Sequence, residues 1–321
     1  MTDLKTNLKA MNTEKKGIHH ITALSGDAQK NADFYVKKLG MRLVKKSVNQ
    51  DDPGTYHLFY GNRSGDPGSG LTFFPWPMAA QGRTGTGEAV TVSLSVPSDS
   101  MEYWLNRLGE LAIPHKQPFE KFGKTRIGLQ DPDLMQLELV FDEKVDGMPG
   151  WAGSTVPEEV AIQGFEGTTL RIQQTEPTAR VLEEIFGFSH AGSEGNLHHY
   201  TTDAQIGSSV ILEASDSPGH PRSGRGTIHH VAFRAKDDNE LLEMREKVLE
   251  MRMYPSEYID RFWFHSIYFR SPGGVLFEIA TDGPGYAVDE AADKLGEKLV
   301  LPPWLEPQRQ KIEDHLPEIR V

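Results

Sequence analysis

Two short segments place adjacent histidines in matching surroundings: GIHHITALS at 17–25 and GTIHHVAFR at 226–234. A third segment, Val275-Leu276-Phe277-Glu278, sets a carboxylate on an otherwise apolar run. Side chains alternate between the two faces of a strand. His20 then shares a face with Ile18, Thr22 and Leu24, and His230 shares one with Ala232. Glu278 falls with Leu276 and Ala280, opposite the apolar face of Val275, Phe277 and Ile279. A buried carboxylate is costly without a partner. Two neutral imidazoles and one carboxylate on one side of an ion, with positions open opposite, form the donor set of non-haem Fe(II) oxygen chemistry. His20, His230 and Glu278 are therefore the candidate metal ligands. The 321 residues include no cysteine. Thiolate ligands, disulfides, iron–sulfur clusters and cysteine nucleophiles are thereby excluded. His57, His115, His190, His198, His199, His220 and His315 have no matched partner and read as structural.

The elements that must position these residues repeat along the chain. Each histidine pair opens a short strand, followed by a polar turn, a helical stretch and further strands. Ala32, Phe34, Tyr35 and Leu39 recur at helical spacing in the first copy, with Gly40 as a stop. Leu241, Leu242, Met244, Arg245 and Val248 do so in the last. Two further copies open at residues 89–97 and 167–173 and close at Met135–Val140 and Ser209–Glu213. The expected fold is α+β: four βαβββ modules that form two open barrel-like cups. The expected layout is an N-terminal tail (1–16), modules one and two (17–142), a Pro/Gly-rich linker (143–163), modules three and four (164–284) and a C-terminal tail (285–321) with a short helix.

Alignment of the modules sets the number of metals. Phe74 is expected to match Glu278 in module one, and Gly167 to match His230 in module three. Module two keeps Glu138, but its opening strand has Thr91-Val92 and no histidine. One metal is expected, held by modules one and four. Those two modules must be neighbours, leaving two and three to share the other cup.

Composition narrows the partners. Lys plus Arg is 34 against 46 Asp plus Glu, a net charge of −12. An acidic chain is poorly suited to nucleic acid or an anionic membrane, so neither is an expected partner. No apolar run reaches transmembrane length and no signal-like apolar segment opens the chain, which leads to the expectation of a cytoplasmic protein. The sequence has no Gly-rich phosphate loop, G-x-S-x-G or H-E-x-x-H.

The GIHHITALSGD opening, the TIHHVAF opening and the SIYFRSPGGVLFEIATDGPG finish resemble the vicinal oxygen chelate superfamily. Within it they resemble ring-cleaving dioxygenases of the hydroquinone type, over roughly residues 17–285. The resemblance implies the vicinal oxygen chelate fold and assigns the same ligands, His20, His230 and Glu278, to Fe(II). It implies a small aromatic substrate and O2 as co-substrates, with His229, Arg261 and Tyr268 contacting substrate oxygens. His229 or Tyr268 would act as acid or base, and Arg261 would stabilise negative charge. Thr22, on the face of His20, would border the substrate. His229 neighbours His230 and reaches the same face only where the strand bends. Phe262, Trp263 and Phe264 suit an apolar wall. Two alternatives stay open: a glyoxalase-like metal-dependent isomerase or lyase on the same fold, and a non-catalytic binding protein for a small aromatic. Hydroquinone and catechol substrates are not separated by the residues themselves, and association into a homo-oligomer is left open.

Overall fold

The computed structural model describes residues 16–217 and 219–321. Apart from Lys16, the expected N-terminal tail lies outside the described residues. Among the described residues, sixteen strands fall into four sets of four. Module one holds β1 (Ile18–Ser25), β2 (Arg42–Asn49), β3 (Asp52–Gly61) and β4 (Gly70–Pro75). Module two holds β5 (Glu88–Val96), β6 (Phe119–Lys121), β7 (Lys124–Gln130) and β8 (Gln136–Phe141). Module three holds β9 (Gly164–Ile172), β10 (Ser189–Glu194), β11 (Leu197–Thr201) and β12 (Ser209–Ala214). Module four holds β13 (Ile228–Ala235), β14 (Ile259–Asp260), β15 (Phe264–Arg270) and β16 (Leu276–Pro284).

A helix follows the first strand of each module. α1 (Ala28–Ala32) starts where the Asp27 carboxylate accepts from the Lys30 amide, and continues as a π-helical turn over Asp33–Lys38. Gly40, at φ +73°, turns the chain out of it; a Cβ there would lie 2.4 Å from the Val156 side chain. α2 (Met101–Glu110) buries Trp104 and Leu108, and α3 (Thr175–Glu184) buries Ala179, Val181 and Leu182. α4 (Asp238–Glu250), capped by the Asp237 carboxylate, buries Leu241, Met244 and Val248. These helical faces and the apolar faces of the strands merge into one core that includes Ile21, Tyr35, Phe73, Leu94, Phe165, Leu212, Phe233 and Phe277. Each such side chain contributes roughly 1.5–3 kcal/mol on burial. In the tail, α5 (Arg309–His315) sets Ile312 with Leu301 and Leu305 against Val48.

The strands pair into two curled eight-stranded sheets. Their orders are β14-β15-β16-β13-β1-β4-β3-β2 and β10-β11-β12-β9-β5-β8-β7-β6. Modules one and four share the first and modules two and three the second, as the ligand count requires. First and last strands of each module run parallel, and the halves meet at antiparallel seams, β1 with β13 and β5 with β9.

Both seams break register twice. Along β1 and β13 the pairs run Ile18↔Phe233, His20↔Ala232, Thr22↔His230 and Ala23↔Ile228. His19 and His229 are thus extra residues of two β-bulges, where strict alternation of faces fails. The other seam repeats the pattern: Ala89↔Leu170, Thr91↔Thr169, Ser93↔Gly167 and Leu94↔Phe165 leave Val90 and Glu166 as the extra residues.

Candidate metal centre

The ladder register explains how distant residues converge. One row of partners crosses five strands: Gly70 on β4, His20 on β1, Ala232 on β13, Glu278 on β16 and Tyr268 on β15. Ala232, between His20 and Glu278, carries only a methyl group and leaves the space between their side chains free. His230 stands two residues along β13, on the diagonal from His20, still within reach. Gly70 gives His20 its room, since a Cβ there would lie 3.2 Å from the His20 Cβ.

The donor atoms meet at close range. His20 Nε2 lies 3.2 Å from His230 Nε2 and 3.2 Å from Glu278 Oε2, and His230 Nε2 lies 2.9 Å from that oxygen. Ligands about 2.1 Å from an ion and at right angles to one another are about 3 Å apart, so the triangle suits three facial positions on one metal. Glu278 is fully buried, and its Oε2 has no hydrogen-bond partner. A buried carboxylate oxygen left so, facing two imidazole nitrogens, is the state a cation would resolve. Burial would raise the Glu278 carboxyl, but His20 and His230 pull it well below the ordinary carboxylate range. Burial lowers His230 and Glu278 partly offsets this, so the imidazole is neutral and its lone pair available. Among the described residues, these three form the one group of three or more His, Asp or Glu close enough to share an ion.

The bulges orient the ligands. His19 Nδ1 lies 2.9 Å from His20 Nδ1, and His229 Nδ1 lies 2.8 Å from His230 Nδ1. With its proton on Nδ1 and donated to that neighbour, each of His20 and His230 leaves its Nε2 unprotonated and free to bind a metal. Ser266 Oγ donates to the other Glu278 oxygen, Oε1. Phe264 packs at 5.1 Å from the His20 ring.

A cleft opens over this triangle. It is lined by His20, His230, Tyr268, Arg261, Trp263 and Phe264 together with Asn49, Gln50, Asp51, His57, Phe59 and Phe74. The Arg261 guanidinium lies 5.5 Å over the Tyr268 ring and is clasped by Asp51 at 3.0 and 3.2 Å. Burial, reinforced by Glu278, raises the Tyr268 phenol, with Arg261 opposing, so Tyr268 keeps its proton.

The structure gathers His20, His230, Glu278, Arg261 and Tyr268 around one space, and Trp263 and Phe264 with them. Phe262, at φ +72°, instead meets Trp304 edge-on. Thr22 does not line the cavity; its hydroxyl meets Thr72 Oγ1 at 2.8 Å behind it. His229 lines a neighbouring cavity with His230, Glu88 and Arg270 rather than this one, and its ring meets His230 and Phe74. The module-one residue registered as Glu278 is Thr72, not Phe74: Thr22↔Thr72 repeats Ala232↔Glu278, each two residues past a ligand histidine. Neither side chain is a carboxylate, so the expectation of a single metal does not depend on this register. Residue types and spacing left out His19, Asp51, His57 and Ser266. The doubled histidines were the visible signal for His19, but its place depends on the bulge. His57 shows no motif and enters through strand order alone. Burial holds its imidazole well below the ordinary histidine range, with His20 and His230 adding to the effect.

Residues 17–139 match the family model described as Glyoxalase/Bleomycin resistance protein/Dioxygenase superfamily. A Bacillus subtilis protein named as a ring-cleaving dioxygenase, MhqO, is 43% identical over 300 residues, spanning 94% of this chain and 95% of that protein. The chlorohydroquinone/hydroquinone 1,2-dioxygenase of Sphingobium indicum is 32% identical over 298 residues, spanning 91% and 92%. A crystal structure from Bacillus subtilis, described as a dioxygenase, superposes with a TM-score of 0.91 at 42% identity, covering 96% of this chain and 98% of that one.

Proposed function

This chain belongs to the glyoxalase, bleomycin-resistance and dioxygenase superfamily and is a ring-cleaving dioxygenase within it; from that premise we propose that it uses Fe(II) held by His20, His230 and Glu278 to open a hydroquinone-type ring with O2. The observation that carries the metal is the triangle of Nε2, Nε2 and Oε2 at 2.9–3.2 Å with the buried oxygen left without a hydrogen bond. The name of the Sphingobium relative supports the hydroquinone class.

Iron held there would supply open positions for a substrate oxygen and for O2, and a path for electrons between them. The protein's own groups do the rest. Phe59, Phe74, Trp263 and Phe264 flank an aromatic ring and exclude water from it. Arg261, positively charged and held by Asp51, stabilises negative charge on the substrate oxygens. Tyr268, kept protonated beside Glu278, donates to an oxygen as it gains charge. His19 and His229 hold the Nδ1 sides of the ligand histidines. His229 acts in this reading through His230, and the acid–base role falls to Tyr268. A fourth protein ligand, as a glyoxalase-like site would use, would have to come from Thr72, whose hydroxyl is engaged by Thr22 and His57.

Anaerobic reconstitution with Fe(II), followed by oxygen uptake against methylhydroquinone and catechol, tests the proposal. Uptake with methylhydroquinone that needs Fe(II) supports it. Uptake with catechol alone, or turnover with Zn(II) in place of Fe(II), overturns it.

A further inference from the structure

His57 stands on β3, two strands from His20 in the sheet order β1-β4-β3, and its ring forms part of the cavity wall. The ring is held on three sides. Its Nε2 lies 2.9 Å from Thr72 Oγ1, and that hydroxyl is tied in turn to Thr22 Oγ1 at 2.8 Å. Both threonines are fully buried. Phe59 and Phe74 pack on the imidazole at 3.8 and 4.4 Å between ring centroids. A side chain so fixed presents its remaining nitrogen in one direction, and Nδ1 makes no hydrogen bond to any described residue.

The other polar groups of the wall are largely committed. Asp51 and Arg261 hold each other, the Gln50 amide donates to the Arg261 carbonyl, and Asn49 Oδ1 accepts from the Asp51 amide. The immediate neighbours of His57 are aromatic. Spare hydrogen-bonding capacity in an apolar stretch of wall favours a ligand that brings a polar group to that spot. A polar group buried there without a partner would be penalised.

Building on the ring-cleaving reading above, we propose that His57 Nδ1 hydrogen-bonds the substrate hydroxyl that does not approach the His20–His230–Glu278 centre, and so selects rings with two hydroxyls para to each other. A catechol has its oxygens side by side, and both fall at the centre. Only a hydroxyl across the ring comes within reach of a residue two strands away. The Thr72 hydroxyl can donate or accept, so the imidazole can take either tautomer and serve the far hydroxyl as acceptor or donor. His57 is thus a specificity-determining residue, with Thr72 and Thr22 as its support.

The test compares anaerobic dissociation constants of the Fe(II)-loaded protein for hydroquinone, 4-methylphenol and catechol. 4-Methylphenol replaces the far hydroxyl with a methyl group. Wild type should prefer hydroquinone over 4-methylphenol by about ten-fold, the scale of one net hydrogen bond. His57→Leu should erase that preference, leave catechol binding within about two-fold and lower kcat/KM for hydroquinone by about the same ten-fold. His57→Gln, which keeps a hydrogen-bonding group, should retain part of the preference. Thr72→Val, which frees the imidazole without removing it, should give an intermediate loss and serves if His57→Leu fails to fold. A folded His57→Leu with the preference intact overturns the inference. So does equal weakening of all three ligands, which is the signature of packing alone. Wild type that neither binds nor cleaves hydroquinone defeats the ring-cleaving reading itself, and is distinguished from these outcomes by needing no variant.

Discussion

The two sheets are built to one plan and hold different chemistry. In the first, the registered row Tyr268, Glu278, Ala232, His20, Gly70 frames the ligand triangle. In the second, the matching row is Gly128, Glu138, Ser93, Gly167, Ser209. Glu138 keeps the carboxylate, but Gly167 stands where His20 would be and Thr91 where His230 would be. No side chain fits at 167, because a Cβ would lie 2.1 Å from the Ser209 carbonyl oxygen. Arg126, at the register of Ser266, fills the cup instead. Its buried guanidinium reaches Glu138 at 2.9 Å and Glu166 at 3.2 Å, and Lys121 meets Glu138 at 2.7 Å. Glu166 occupies the bulge position that His19 occupies in the first sheet. A buried carboxylate in this fold needs a cation. One cup provides it from its own chain, and the other gathers neutral donors that suit a metal. The difference shows how a duplicated frame confines chemistry to one of its two equivalent places.

The largest expected effect comes from removing the internal cation. Arg126→Met removes the buried cation that bridges Glu138 and Glu166, leaving only Lys121 beside the one and Lys124 beside the other, and should cost about 3–5 kcal/mol in denaturant unfolding. Iron per folded molecule should stay at the wild-type level; iron loss in a folded variant would show that the two cups are not independent.

Glu278→Gln removes the anionic ligand from the other cup. Iron affinity and oxygen uptake should fall by more than about 100-fold, beyond what loss of an outer partner costs. Full iron content by elemental analysis would take Glu278 out of the site. The bulge histidines should matter less. His19→Ala and His229→Ala should each lower iron affinity by about 10- to 100-fold with little change in stability. Equal affinity in both variants and wild type would mean that the Nδ1 contacts do not orient the ligands.

The smallest effect is a pH dependence in the second cup. Burial raises the Glu138 carboxyl, but Lys121 and Arg126 outweigh it and hold the group below its ordinary value. A carboxyl depressed on folding contributes stability above its unfolded pKa, near 4.5, and loses it as pH falls through the folded value. Glu138→Gln should therefore destabilise by about 1–2 kcal/mol at neutral pH, with a gap from wild type that narrows in acid. Iron content should not change. A gap constant with pH would mean that the cations do not hold the carboxylate.

Much of this was legible in residue types. The paired IHH openings, the lone Glu on an apolar strand and the four-fold βαβββ order identified the modules and the three side chains that the fold brings together as candidate metal ligands. Gly167 and Thr91, read in the same way, identified the cup that lacks the two histidines. The bulges were not legible, because an extra residue exists only relative to a partner strand, and β1 pairs with a strand about 210 positions away. The choice of Thr72 over Phe74 failed for that reason: segment alignment is blind to a two-residue difference in ladder register. Arg126 and His57 carry no local signature at all.

The sequence by itself determined which atoms are available: two imidazole pairs, one isolated carboxylate, no thiol and a net charge of −12. Periodicity of two and of about four is a local property, so strand faces and helix faces could be read from it. Tertiary structure decided which of those atoms meet. The seam between β1 and β13 sets the 2.9–3.2 Å triangle, the bulges turn His19 and His229 onto their neighbours, and sheet order brings His57 to the cavity. These are pairings between strands far apart in the chain, and their energies lie in contacts that no segment makes alone.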